Sequence, residues 1–218
     1  MADASTMNID NQTDYWNSVA QNKLFTHPID IKWMRNYENK ESVIIDYGCG
    51  YGRIVKELMK HGFSNVKGFD SAVKLINRGR NDGLENIFHI DTLDDLPCRD
   101  NSVDCFLLFA VLTCIPSNSA QSNLISILRN KLKPDGIIYI SDYYLQLNSI
   151  EMERYEYLND DKQNYGIFKL QEDVIFRHHT KEWINILLKD FKILEETLID
   201  VKTMNGNQAE AFQMIVSK

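Results

Sequence analysis

The chain has 218 residues, of which 44% are hydrophobic and 25% are charged, and its formal net charge is −7. A length of this order favours a single domain with a large core, and the composition is that of a folded protein, not a disordered one. The acidic balance disfavours a nucleic-acid-binding protein, because such proteins usually carry a basic face. We therefore predict one domain over residues 1–218 and no nucleic-acid partner.

Signals for export, membrane insertion and metal binding are missing from the sequence. The polar first residues lack the basic start and apolar stretch of a signal peptide. No apolar run approaches the roughly 20 residues that span a bilayer. The cysteines form no CxxC pair, and no histidine pattern indicates a metal site; the four cysteines are Cys49, Cys98, Cys105 and Cys114. We expect a cytoplasmic protein with reduced thiols and no membrane partner.

Two short helices are predicted before the first strand. Tyr15, Trp16 and Val19 share one helical face, and Thr13 or Asp14 can cap that helix. Pro28 suits the first turn of the second helix. We interpret residues 13–40 as a helical cap on the domain.

From residue 42 onward, short apolar strands alternate with helices. Strands are predicted over 42–46, 66–70, 86–90, 103–109 and 137–141, and helices over 53–61, 72–80 and 120–131. Strands that are apolar on both faces are typical of parallel sheets covered by helices on both sides. The predicted fold is α/β, a Rossmann-like open sheet that is mostly parallel.

The last third of the chain has a different pattern. A polar, tyrosine-rich stretch over 143–165 is followed by a possible hairpin over 167–178 and a helix from Thr180 to Lys189. Residues 191–201 and 209–216 are predicted as terminal strands that add an antiparallel strand to the sheet. We interpret 143–179 as an insertion that serves as a substrate lid, since long insertions in compact domains are often functional. The alternative is a capping segment with ordinary surface tyrosines.

The first strand ends at Asp46 and runs into a turn with glycines at 48, 50 and 52. Glycine lets a ligand approach the main chain closely, and the N-terminus of the following helix favours an anionic group. Ligands of open α/β sheets bind beyond the carboxyl ends of the strands. The turn therefore predicts a nucleotide-like ligand.

Two further carboxylates fall at strand ends. Asp70 ends the second strand, where it can accept hydrogen bonds from ribose hydroxyls, as an acidic residue does in dinucleotide-binding folds. Asp91 follows the third strand and can accept from an adenine amino group, with Leu93 packing on the ring. The apolar segment 109–112 would lie under the ligand.

These segments resemble the class I S-adenosylmethionine-dependent methyltransferase superfamily, and most closely its type 11 and type 25 members. "VIIDYGCGYGR" resembles motif I, "VKGFD" resembles motif II, and "HIDTLDDLPCRDNSVDCFLLFAVL" resembles the motif III to motif IV stretch. "LKPDGIIYISDY" resembles the strand-five segment. The resemblance covers about residues 40–145, and it implies S-adenosylmethionine as the cofactor and methyl transfer as the reaction.

The resemblance also implies residue roles. Gly48 and Gly50 would contact the methionine part, with Asp46 near its ammonium. Tyr15 or Arg53 would meet its carboxylate, although packing on the sheet and solvation are equally good interpretations of these two side chains. The predicted cofactor-binding residues are Tyr15, Asp46, Gly48, Cys49, Gly50, Arg53, Asp70, Ser71, Asp91, Thr92, Leu93, Phe109, Ala110 and Val111.

Differences from the motifs of related enzymes narrow the range of methyl acceptors. "FAVLTCIP" stands where amino-methyltransferases of DNA bases and of protein glutamine carry an Asn/Asp-Pro-Pro-Tyr/Phe motif. Cys114 lacks the setting of the nucleophile in RNA cytosine-5 methyltransferases, and the G-x-G-x-G spacing argues against NAD. We predict transfer to an O, N or S atom of a small molecule by a monomer or homodimer. The alternatives are a protein or peptide methyltransferase and a non-catalytic protein that binds S-adenosylmethionine or a nucleotide.

Three candidate catalytic residues lie in the last third of the chain. Of the adjacent His178 and His179, one should point inward if they lie on a strand, and an inward histidine could act as a general base. We name His179, together with Asp142 and Tyr143 at the end of the fifth strand. The alternative is that the histidine is structural. Direct in-line transfer needs mainly positioning, so a base is not required.

Overall fold

The computed structural model describes residues 9–92, 95–147, 154–155, 165–170 and 174–218. Its α-helices are α1 (Thr13–Val19), α2 (Ile31–Tyr37), α3 (Arg53–Lys60), α4 (Val73–Asn81), α5 (Asn118–Lys131) and α6 (Lys181–Leu187). Its strands are β1 (Ile44–Tyr47), β2 (Val66–Asp70), β3 (Ile87–His89), β4 (Val103–Phe109), β5 (Leu132–Tyr143), β6 (Ile167–Lys169), β7 (Ile175–Arg177), β8 (Lys192–Lys202) and β9 (Gln208–Ser217). A 3₁₀ turn covers Leu112–Cys114.

Seven strands form one sheet in the order β3-β2-β1-β4-β5-β9-β8. Strands β1 to β5 pair in parallel, whereas β9 is antiparallel to both β5 and β8. The predicted α/β fold with a mostly parallel sheet is thereby confirmed. Strand β9 lies between β5 and the edge strand β8, so the last two strands form a hairpin that completes the sheet.

The central strands β1, β4, β5 and β9 are buried on both faces over most of their length, which explains why they are mainly apolar, whereas the edge strand β8 is largely exposed. On one face, Leu124 and Leu128 of α5 pack on a cluster that includes Phe106 of β4. On the other face, Val55 and Leu58 of α3 pack on a second cluster. Each face therefore contributes its own core, as the alternation of strands and helices predicts.

Polar side chains set where several helices begin. Asp30 caps α2 by accepting from the backbone N–H groups of Lys32 and Trp33. The helix therefore begins after Pro28, whereas the sequence predicts Pro28 in its first turn. Ser117 and Thr180 cap α5 and α6 in the same way. No side-chain cap precedes α1, where Gln12 takes the N-cap position in place of the expected Thr13 or Asp14.

The side chain of Gln12 instead ties the N-terminal segment to the predicted hairpin. Its oxygen accepts from the backbone N–H of Ile175 at 2.8 Å, and its amide donates to the carbonyl of Cys114 at 3.0 Å. Strands β6 and β7 do pair as an antiparallel hairpin. In the described part of the chain, no helix is both long and apolar enough to cross a lipid bilayer.

Candidate functional site

A cavity of about 450 Å³ opens beyond the carboxyl ends of the parallel strands, the expected place for a ligand in this fold. One part, here called the strand half, is built by the ends of β1 to β4; it comprises Tyr47, Gly48, Asp70, Ser71, Ile90, Asp91, Thr92, Phe109, Ala110 and Val111. The other part, here called the hairpin half, is built around the β6–β7 hairpin and the β8–β9 turn; it comprises His27, Tyr143, Gln146, Arg154, Phe168, Leu170, Phe176, His178, Met204 and Asn207. Eight of the fourteen predicted cofactor-binding residues fall in the strand half.

The glycine turn after β1 needs its glycines for two reasons. Gly48 and Gly50 have φ values of 71° and 57°, in the left-handed region that costs other residues energy. A Cβ on Gly48 would lie 2.8 Å from a methyl of Val111, and one on Gly50 would overlap the ring of Phe25. The turn therefore lies directly under the chain segments that cover it, and only Gly48 of the two lines the cavity.

Asp70 fixes this turn and lines the cavity at once. One carboxylate oxygen accepts from the backbone N–H of Gly50 at 2.8 Å, and the other accepts from that of Ala72 at 2.7 Å. Burial raises the pKa of Asp70, while these two hydrogen bonds oppose the rise. Since each carboxylate oxygen has two lone-pair directions, both can still accept a ligand hydroxyl.

Asp46 lies behind the turn, outside the cavity lining, and is 2% exposed. Its Oδ2 has no hydrogen-bond partner among the described residues. Burial raises the pKa of Asp46 to about 8, although the nearby Arg53 guanidinium acts to lower it. Arg53 lines the cavity but is held by donating to the carbonyl of His27. A buried, unsatisfied carboxyl is costly, so a cationic ligand group nearby would stabilise its charged form.

The other predicted site residues of the strand half line the cavity. Ser71 accepts a hydrogen bond from the Thr13 hydroxyl at 3.1 Å, and Thr92 is held by Asp95 through its N–H and hydroxyl. Asp91 is exposed. Phe109, Ala110 and Val111 line the floor, and Leu93 lies outside the described residues.

Three rings lie side by side in the hairpin half. Tyr143 meets His27 edge-on with ring centroids 4.7 Å apart, and His178 stacks on Tyr143 with centroids 5.0 Å apart. Burial, followed by the charge of Arg53, lowers the pKa of His27 to about 4. Burial and then Arg154 lower the pKa of His178 well below its usual value. Both imidazoles are therefore neutral at pH 7.

The structure does not bring His179 to the cavity. Trp183 Nε1 can only donate, so the oxygen of Gln121 accepts from it at 2.6 Å and the Gln121 amide faces His179. Nε2 of His179 then accepts from that amide, and Nδ1 donates to the carbonyl of Tyr143 at 3.1 Å. Because both ring nitrogens are occupied and the side chain is fully buried, His179 is a structural residue. The adjacent His178 lines the cavity instead.

Asp142 and Tyr15 also lie outside the cavity lining. The fully buried Asp142 accepts from the backbone N–H of Tyr143 and from that of Thr113, which fastens the 3₁₀ turn to β5. Tyr15 packs edge-on against Trp16 and Phe176. The roles predicted for these two residues therefore have no support in their positions, whereas Tyr143 does line the cavity.

Cys49 and Gly50 support the site without lining it. Cys49 is buried, and its side chain fills the space beside Gly68, where an added Cβ would lie 2.7 Å from its sulfur. Gly50 acts through its backbone bond to Asp70. Their contribution is to the shape of the turn and not to direct lining of the cavity.

Sequence reasoning missed several lining residues. His27 lies in the loop before α2, and its Nδ1 is 2.9 Å from the hydroxyl of Ser141. Met204 and Asn207 lie in the β8–β9 turn, which also lines the cavity. The Asn-Gly pair at 205–206 signals that turn, but no sequence pattern indicates that it reaches the carboxyl edge of the sheet.

Comparisons with known proteins agree with this geometry. The protein family described as "Methyltransferase domain" matches residues 45–140. O-methyltransferase 3 of Dictyostelium discoideum is 32% identical over 126 residues, 53% of this chain and 29% of that protein. EEF1A lysine methyltransferase 2 of Mus musculus is 40% identical over 62 residues, 26% of this chain and 25% of that protein. The chain thus spans less than a third of either relative.

A solved structure shares the fold over nearly its whole length. The S-adenosylmethionine-dependent methyltransferase of Methanosarcina mazei superposes with a TM-score of 0.77 and 24% identity, covering 89% of this chain and 99% of the other. That protein is named as S-adenosylmethionine-dependent, which agrees with the cofactor that the sequence predicts. Residues 45–140 of this chain therefore match the methyltransferase-domain family, and most of the chain shares its fold with a solved S-adenosylmethionine-dependent methyltransferase.

Proposed function

We propose that the chain binds S-adenosylmethionine in the strand half of the cavity and transfers its methyl group to a small-molecule acceptor in the hairpin half. The observation that carries this proposal is the double role of Asp70, which lines the cavity while it holds the glycine turn through Gly50. Its carboxylate is placed to accept ribose hydroxyls. The orphaned Oδ2 of Asp46, directly behind the turn, suits the methionine ammonium.

The size and walls of the cavity favour a small acceptor. A volume of about 450 Å³ is within the usual range for sites that bind small molecules. Trp16 and Phe25 from the N-terminal segment and Phe168 and Phe176 from the β6–β7 hairpin contribute to its wall. Walls of this kind exclude water, which strengthens electrostatic contacts at the reacting atoms.

Methyl transfer requires mainly that the acceptor atom be correctly positioned relative to the cofactor. The cofactor supplies a methyl group on a positively charged sulfur, and the bond from carbon to sulfur breaks with its electron pair remaining on sulfur. The protein's part is to hold the acceptor atom about 3 Å from the methyl carbon and in line with that bond. Ala110 and Val111 line the strand half, and the neutral His27 and His178 flank Tyr143 in the hairpin half.

Calorimetric titration with S-adenosylhomocysteine tests the cofactor site. Tritium-labelled S-adenosylmethionine incubated with a metabolite library, followed by mass spectrometry of labelled products, tests the reaction. Saturable binding and a labelled small product are expected. Absence of binding would refute the whole proposal, whereas binding without any transfer would leave a non-catalytic binding protein.

A protein acceptor is the second candidate, because one relative is named as a lysine methyltransferase. That similarity lies within 62 residues, about a quarter of either chain. It therefore supports the kind of domain but is weak support for a protein acceptor. Label recovered in extract proteins and absent from the metabolite fraction would favour this candidate over a small-molecule acceptor.

A further inference from the structure

The side chain of His178 is held from one side only. Its Nδ1 lies 2.6 Å from the hydroxyl oxygen of Tyr155. The ring is stacked on Tyr143 and meets the edge of Phe168 at 4.8 Å between centroids. Among the described residues, none forms a hydrogen bond to Nε2, and the ring lines the cavity. Nε2 is therefore the atom through which this histidine can meet a ligand.

The other bonds of Tyr155 determine which nitrogen of His178 carries the proton. The Tyr155 hydroxyl accepts from the backbone N–H of Gln146 at 3.1 Å and from the side chain of Arg154. A hydroxyl has one proton to donate and two lone pairs. With both lone pairs used, the proton of Tyr155 must be donated to Nδ1 of His178. Since the imidazole is neutral, its own proton then lies on Nε2.

Among the described residues that line the hairpin half, no carboxylate is present to pair with a cationic acceptor. Of the described carboxylates that line the cavity, Asp70 and Asp91 belong to the strand half, and Asp10 is bonded to Ser117. The walls of the hairpin half are aromatic and carry the donor N–H of His178. A planar molecule with an oxygen that accepts a hydrogen bond fits these features.

We infer that His178, with its tautomer fixed by Tyr155, binds the methyl acceptor by donating a hydrogen bond from Nε2–H, and that the acceptor is an uncharged or anionic aromatic molecule with a ring-bound oxygen, such as a phenol. This inference rests on the proposed function, since it names the acceptor class of that same cavity. His178 is a substrate-binding residue and not a general base, because the nitrogen facing the ligand carries a proton. A phenol acceptor gives up its O–H proton to solvent and reacts as the phenolate, whose oxygen forms the new bond to the methyl carbon as the carbon–sulfur bond breaks with its electron pair remaining on sulfur. Tyr155 is a positioning residue that acts through His178.

The tautomer can be measured without knowing the natural acceptor. Protein with ¹⁵N-labelled histidine and saturating S-adenosylhomocysteine is studied by long-range ¹H–¹⁵N correlation spectroscopy from pH 6 to 8. We expect His178 to show an unprotonated Nδ1 and a protonated Nε2 throughout. Tyr155→Phe should give a mixture of tautomers, whereas Tyr165→Phe, a change in a tyrosine that touches Tyr155 and has no bond to His178, should not. A protonated Nδ1, a charged ring at pH 7 or an unaltered Tyr155→Phe spectrum would each overturn the inference.

The acceptor class is tested on the same complex with defined probes. Phenol, catechol and 4-hydroxybenzoate are compared with an acetylated Gly-Lys-Gly peptide, first by their effect on the Nε2–H resonance and then as acceptors of labelled methyl. At least one phenol should shift the resonance and accept the label. His178→Gln, which keeps an N–H donor, should retain KM for that phenol within about threefold, and His178→Leu should raise KM at least tenfold with little change in kcat. Response to the lysine peptide alone, or to none of the probes, contradicts the acceptor assignment.

Failure of this inference is distinguishable from failure of the proposed function. Each variant is first titrated with S-adenosylhomocysteine and heated to measure its melting temperature. If the wild-type protein does not bind S-adenosylhomocysteine, the proposed function fails. If binding is intact and His178 has the other tautomer, the inference alone fails.

Discussion

Asp70 Oδ2 accepts a hydrogen bond from the backbone N–H of Gly50 at 2.8 Å, which joins the end of β2 to the glycine turn after β1. The bond links two strand ends that are separated by a helix in the sequence but are neighbours in the sheet. A single carboxylate thus shapes the main chain of the turn and lines the cavity. Loss of this side chain should therefore weaken cofactor binding by disturbing the turn and by removing an acceptor from the cavity wall.

Asp70→Ala should lower the affinity for S-adenosylhomocysteine at least 100-fold. Hydrogen bonds to a charged group contribute about 1.5–3 kcal/mol each, and two ribose hydroxyls would lose their acceptor. The measurement is isothermal titration calorimetry, with Asp100→Ala at an exposed position outside the cavity as the control. An unchanged affinity in Asp70→Ala would show that the ribose is not bound here.

Gly50→Ala should destabilise the protein and abolish cofactor binding, because the new methyl would overlap the ring of Phe25. Gly83→Ala is a matched control, since Gly83 also has a positive φ of 88° but has no atom within 4 Å of an added Cβ. The control should lose only about 1 kcal/mol for its backbone conformation. Urea unfolding and calorimetry of the pair separate the two effects. Equal losses in both variants would mean that Phe25 does not restrict the turn.

Asp46→Asn should alter how stability depends on pH. The pKa of the Asp46 carboxyl is about 8 in the folded protein and near 4 in the unfolded chain. The resulting contribution to folding stability is fully present below pH 4 and is lost as the pH rises through 8. The variant cannot ionise, and its stability relative to wild type should increase steadily between pH 4 and 8.

Urea unfolding of ligand-free protein at pH 5, 6, 7 and 8 measures this difference. Carboxyls with raised pKa values that do not interact with Asp46, such as Asp142, act equally in both proteins and cancel. Bound S-adenosylhomocysteine should reduce the difference, because its ammonium would stabilise the Asp46 carboxylate. Parallel stability curves for the two proteins would contradict the assigned titration.

His179→Ala should lower stability by about 1–3 kcal/mol, because two buried hydrogen bonds of about 0.5–1.5 kcal/mol each, to the Gln121 amide and to the Tyr143 carbonyl, are lost. Affinity for S-adenosylhomocysteine should stay within about twofold of wild type, since His179 does not line the cavity. His61→Ala, at a half-buried position at the end of α3, serves as the control and should have a smaller effect on unfolding. Normal stability combined with loss of turnover would make His179 a catalytic candidate again.

The strand half of the site can be predicted well from the sequence, because its residues directly follow strands that are recognisable from their local sequence pattern. Strands with two apolar faces indicate a parallel sheet, and the carboxyl ends of its strands meet along one edge. This pattern alone predicts that Gly48, Asp70 and Asp91 lie together. The structure places all three at the cavity.

The hairpin half could not be predicted because it depends on contacts between distant segments. Alternation along a strand indicates that one of His178 and His179 points inward, but the choice depends on how the segment pairs with its neighbours. His179 follows β7 and bridges to Tyr144, an arrangement absent from the local pattern. The contact of His27 with Ser141, 114 positions away, has no sequence signal either.

The left-handed backbone of Ala110, with φ of 56° on the floor of the cavity, has a consequence for protein engineering. A side chain without a branch at Cβ tolerates this conformation at a cost of about 1 kcal/mol, whereas valine, isoleucine or threonine is strongly disfavoured. Libraries designed to change the acceptor should therefore leave position 110 small. Diversity belongs at Phe168, Met204 and Asn207, which come from segments that take no part in the glycine turn.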